Sequence, residues 1–128
     1  MKLESYGITE KDSMIFEFVS EGPKGHITKR VLYQKNDSEF IFNLAFGDVN
    51  IETGDFDDYA ITNNGDSNKV LATVAKSILI FIEKNPNAYI YAEGSSPART
   101  RLYQMGISKN IDEIQEIFKI DGYLKNVG

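Results

Sequence analysis

The sequence predicts an α+β fold: a mainly antiparallel sheet of five or six strands with two helices, in the order β-β-β-(β)-α-β-α-β. Three observations lead there. The first half alternates apolar and polar residues at period two, between turns marked by glycine, proline and asparagine. One segment, Val70 to Ile82, instead repeats its apolar residues at spacings of three, four, seven and eight, the stripe of a helix lying across a sheet. Strands that come in a run, with helices after them, place those helices on one face of an antiparallel sheet.

Each element has its own justification. Ser13 to Ser20 sets Met14, Phe16 and Phe18 on one side and Ile15 and Val19 on the other, which predicts a strand buried on both faces. Glu21-Gly22-Pro23-Lys24-Gly25 is a turn. His26 to Lys35 follows, with Ile27, Val31 and Tyr33 on one face and Thr28, Arg30 and Gln34 on a wet face, closing a hairpin. After the turn Asn36-Asp37-Ser38, the segment Glu39 to Phe46 places Phe40, Phe42, Leu44 and Phe46 on one face. This stripe reads as core, since its period is that of a strand.

Gly47 to Asp58 is acidic, without lysine or arginine, and reads as a loop leading to a short strand at Tyr59–Thr62. Asn63-Asn64-Gly65 turns the chain, and Asp66 or Ser67 supplies a cap for the first helix. That helix stops before Pro86, because the residue preceding a proline avoids helical angles. Ala88 to Ala92 is a short central strand. Ser96 then caps a second helix with Pro97 at its first position, running to Lys109. A last strand spans Ile117 to Ile120.

The 128 residues suggest a single domain, 1–128, with 41% apolar and 26% charged residues. Without cysteine, disulfides and thiolate metal sites are excluded. Met1 to Tyr6 lacks the apolar core of a signal peptide, and the run Ile78–Ile82 is too short to span a bilayer. A cytoplasmic chain with no membrane contact is expected. A net charge of −5 disfavours nucleic acid as a partner, since phosphate neutralisation needs a basic face.

No nucleophile elbow, Walker loop, zinc-protease helix or dinucleotide fingerprint is present, and no cofactor or metal is expected. The acidic run Asp55-Phe56-Asp57-Asp58 lacks the spacing of a calcium loop. The one histidine, His26, has no sequence partner and reads as a surface residue.

Two motifs stand out: Thr62-Asn63-Asn64-Gly65-Asp66 before Lys69–Val74, and Gly94-Ser95-Ser96 before Arg99-Thr100-Arg101-Leu102-Tyr103. Together they resemble a family of small bacterial proteins of unknown function, over nearly the whole chain. The family pattern has threonine where this chain has Ser96, which keeps a capping hydroxyl. The resemblance implies no activity and carries over no catalytic residue.

A one-helix crossover from the strand ending near Thr62 to Ala88–Ala92 would make the two strands parallel and start both helices at one sheet edge. Ligands of such sheets favour the crevice at the carboxyl ends of the strands. The candidate ligand residues there are Asn64, Asp66, Ser95, Ser96, Arg99, Arg101 and Tyr103. Ser95, Ser96 and the amides after them suit a phosphate or carboxylate. Arg99 adds bidentate contacts, with Tyr103 on its helix face. Arg101 lies about 200° around the helix from Arg99 and has a different task. Asp66 sits awkwardly beside an anion.

Three readings stay open. The preferred one is a domain binding a phosphate-bearing small molecule or other anion at Gly94–Arg101. In the second, Arg99 and Arg101 pair with Asp48, Asp55, Asp57, Asp58 or Asp66 as a structural brace, and the chain is a protein-interaction module. The third is an RNA-directed, nuclease-like protein using Arg99, Arg101, Tyr103 and Lys69. No reaction or oligomeric state follows from the residues.

Overall fold

The computed structural model describes residues 4–36, 40–57, 62–92, 101 and 105. Six strands form one sheet: β1 (Thr9–Asp12), β2 (Ile15–Gly22), β3 (Gly25–Lys35), β4 (Ile41–Val49), β5 (Phe56–Asp57) and β6 (Tyr89–Ala92). Strands β1 to β4 form an antiparallel meander. Both β5 and β6 lie on the edge of β4 away from β3. β5 is antiparallel beside Asp48 and Val49, and β6 is parallel beside Ile41 to Leu44. Helix α1 (Ser67–Lys84) is the crossover between β4 and β6. The fold is therefore α+β, with a helix on a mainly antiparallel sheet.

The core lies between α1 and one face of that sheet. Alternation supplies Phe16 and Phe18 from β2, Val31 and Tyr33 from β3, and Phe42, Leu44 and Phe46 from β4, all buried. Against them α1 sets Val70, Val74, Ala75, Ile78 and Phe81. The Tyr33 and Phe81 rings stack with centroids 4.1 Å apart, and Phe42 meets Phe81 edge-on at 5.0 Å. Such aromatic pairs add about 0.5–1.5 kcal/mol beyond the area they bury.

Several expectations need correcting. Ser13 and Met14 form a turn, so the second strand begins at Ile15, and β1 precedes it. The four residues of β1 are exposed and mostly charged, so no apolar alternation marks them; charge of this kind protects a sheet edge from further pairing. Burial of β2 is one-sided, since Val19 is 42% exposed. Phe40 stands outside the core at 49% exposure, immediately before β4. The acidic stretch is not loop from its start, because Gly47, Asp48 and Val49 complete β4. Among the described residues β6 is parallel to β4, and residues 59–61 of the strand expected to end near Thr62 lie outside them. Helix α1 ends at Lys84, before Pro86, as its sequence predicts.

Other expected elements lie outside the described residues. These are residues 59–61 of the strand expected at Tyr59–Thr62 (Thr62 itself is not in a strand), the last strand at 117–120, and the second helix apart from Arg101 and Met105. Those two residues are helical and exposed.

Candidate functional site

The carboxyl ends of β4 and β6 and the beginning of α1 share one edge of the sheet, because α1 runs back antiparallel to both strands. Three pieces of chain converge there: the β2–β3 hairpin end, the 62–66 turn, and the segment Glu4 to Ile8. Their polar groups are joined to one another.

The 62–66 turn makes these junctions residue by residue. Thr62 donates its N–H to Asp48 Oδ2 at 2.9 Å, and its carbonyl accepts from Lys29 Nζ at 2.8 Å. Asn63 Oδ1 accepts the Gly65 N–H at 3.0 Å, an Asx turn. Asn64 is 2% exposed. Its Oδ1 accepts the Lys24 N–H at 2.7 Å, while its Nδ2 donates to the Gly25 carbonyl at 2.8 Å and to Ser20 Oγ at 3.3 Å. One side chain thus locks the tip of the hairpin. Gly65 takes φ +76°, a conformation in which a side chain is strained. Gly22 is required by closeness instead: a Cβ on it would lie 2.1 Å from the Asn64 carbonyl oxygen.

Asp66 occupies the N-cap position of α1 without its side chain capping the helix. Its Oδ2 accepts from Tyr6 Oη at 2.5 Å and from Ser20 Oγ at 2.6 Å. Tyr6 Oη in turn accepts the Glu21 N–H at 3.0 Å. Burial and the bond to Asp66 raise the Tyr6 pKa above its ordinary value, so the phenol stays protonated and donates. The Tyr6 ring stacks on Phe18, and Lys69 Nζ sits 4.3 Å from its centroid. The Tyr6 backbone is also held, its N–H by Thr73 Oγ1 and its carbonyl by Lys76 Nζ, both at 2.8 Å. In this way Glu4–Ile8 is fastened along α1.

A buried ion pair completes the edge. Lys29 is 1% exposed, and its Nζ lies 2.6 Å from Asp48 Oδ1. The sequence reading passed over Lys29, although it stands between Ile27 and Val31 in the inward register of β3. A charged residue at an inward strand position is the available signal, because lysine enters a core only with a partner. Tyr6, Ser20 and Asp48 carried no comparable signal, being separated in sequence from the groups they bind.

The structure brings Asn64 and Asp66 together. Arg101 is exposed and makes no ion pair among the described residues. Ser95, Ser96, Arg99 and Tyr103 lie outside those residues. His26 is an exposed residue 3.9 Å from Glu21 Oε2. Among the described residues no three histidine or acidic side chains converge as a metal site would need, and no helix is long and apolar enough to cross a membrane.

Chemically, the edge is an internal clasp. Ser20 is fully buried, so its contact with Asp66 is closed to a substrate. Among the described residues, the first turn of α1 carries Lys69, no acidic residue and no side-chain cap, with Asp66 at its N-cap position. Free amides and a lysine there favour negative charge.

Residues 2–127 match the model described as "Family of unknown function (DUF6934)". The chain belongs to this family. No curated protein and no solved structure matches the chain. The family match extends over β1 to β6 and both of the motifs singled out in the sequence, so the clasp and the Gly94–Tyr103 segment both fall within the matched residues.

Proposed function

We propose that this protein binds a phosphate-bearing or otherwise anionic small molecule at the sheet edge where α1 begins. In this reading the second helix begins at Pro97, and Ser95, Ser96 and Arg99 supply the direct contacts, with Tyr103 beside them. Asn64 and Asp66 shape the site from beneath. The observation that carries the reading is the engagement of Asp66 Oδ2 by two hydroxyl donors. The carboxylate that sat awkwardly beside an anion is thereby occupied, and the first turn of α1 is left uncapped. Arg101 supports the same reading, as an exposed cation without a carboxylate partner among the described residues. Of the carboxylates a brace would use (Asp48, Asp55, Asp57, Asp58 or Asp66), Asp48 is paired with Lys29 and Asp66 accepts from Tyr6 and Ser20.

The test is the thermal shift of the full chain with inorganic phosphate and with pyrophosphate. The expected result is a rise in Tm that disappears in Arg99→Ala, with the ligand-free Tm kept within about two degrees, as for a surface substitution. A fall of several degrees in that variant, with no anion effect on either protein, overturns the proposal in favour of bracing.

A further inference from the structure

A second concave site lies at the opposite end of the sheet. The register sets this distance: Lys29 faces Asp48 at one end of the β3–β4 pair, and Lys35 faces Phe42 at the other. There the β1–β2 turn, the end of β3, the start of β4 and the end of α1 border an open groove of about 420 Å³. Its apolar lining includes Met14, Phe40, Phe42 and Ala88, and its cations are Lys35 and Lys84.

The two lysines differ. Lys84 bonds to Glu10 Oε2, so its charge is met. Lys35 is exposed and has no ion-pair partner among the described residues. At the end of α1, Asn85 donates its backbone N–H to the Ile82 and Phe81 carbonyls and its Nδ2 to the Phe81 carbonyl, and the last turn carries Lys84. An apolar lining with one cation at its margin that has no ion-pair partner among the described residues complements a ligand with an apolar body and a single negative head.

We propose that this groove binds a small amphipathic carboxylate, its aliphatic part against Met14, Phe40 and Phe42 and its head at Lys35. The pairing is charge-assisted at a partly wet margin, and the apolar contact supplies most of the affinity. The site is independent of the anion site at the start of α1.

Octanoate is the probe, octanol its uncharged counterpart, and the methyl resonances of Met14 and Ala88 the readout. Octanoate is expected to shift both methyls saturably and to bind more tightly than octanol. Lys35→Glu should weaken octanoate by about five-fold, from loss and reversal of one exposed charge contact, while Lys24→Glu, the same charge change elsewhere, leaves it unaltered. Equal binding of octanol and octanoate overturns the proposal, as does equal behaviour of the two lysine variants or the absence of saturable methyl shifts. Phosphate is read at the Ser67–Lys69 amides instead, so failure of either site is seen separately.

Discussion

Lys29 and Asp48 form a salt bridge across neighbouring strands, with Nζ and Oδ1 2.6 Å apart and the lysine side chain only 1% exposed. Both partners also bind Thr62, the lysine through its carbonyl and the aspartate through its N–H. The pair therefore does more than neutralise itself. It fixes the entry to the 62–66 turn, and through that turn the start of α1.

Removing one partner leaves a buried charge uncompensated. Lys29→Met should lower the unfolding free energy by about 3 kcal/mol. In a double-mutant cycle by urea denaturation, Lys29→Met and Asp48→Asn should couple by about 1–3 kcal/mol. Additive losses would show that the contact is energetically idle.

The hairpin lock makes a different forecast. Asn64→Ala strips partners from the Lys24 N–H and the Gly25 carbonyl, and should cost about 2 kcal/mol. Gly22→Ala should cost more, because its Cβ would meet the Asn64 backbone oxygen as well as its side chain, and the backbone cannot easily yield. Combining it with Asn64→Ala should not rescue it. Hydrogen exchange at the Lys24 amide should quicken in both variants; an unchanged rate would contradict the lock.

Tyr6 is expected to tolerate loss of its ring contacts less well than loss of its hydroxyl. Tyr6→Phe keeps the Phe18 and Lys69 contacts and removes the bonds to Asp66 and Glu21. It should cost about 1 kcal/mol, against about 3 kcal/mol for Tyr6→Ala. A thermal melt that ranks the two variants in the reverse order would place the stability in the hydroxyl network instead.

Alkaline pH should unfold the chain through its tyrosines. Burial raises the pKa of Tyr6 and, more strongly, of Tyr33 above the ordinary value of 10.0. The folded state holds these protons more tightly than the unfolded state does. Their contribution is thus complete below about pH 10 and is lost as the pH climbs through the folded-state values. Tyr33→Phe should flatten the decline in stability above pH 10 relative to the parent chain, read alongside tyrosinate absorbance. An identical slope in the two proteins would rule out this linkage.

Most of the sheet was legible because alternation and turn chemistry are local. Phe42, Leu44 and Phe46 announce an inward face, Gly22 to Gly25 a turn, and the Val70–Ile82 stripe a helix that must cover something. β1 was not legible, since Thr-Glu-Lys-Asp has no apolar face and is a strand only because β2 offers it an edge. Lys29 was half legible: its register placed it inside, and only the fold showed which carboxylate received it.

The sequence by itself determined the fold class, the inward face of β4 from Phe42 to Phe46 and the position of α1, because each follows from periodicity within a dozen residues. Tertiary structure alone decided that β6 lies beside β4, and that Asp66 turns to Tyr6 and Ser20 rather than capping its helix. The partners concerned are 60 and 46 residues apart along the chain. A hydrogen bond between such distant residues leaves no periodic trace in the sequence; it exists only once packing has carried the two groups into reach.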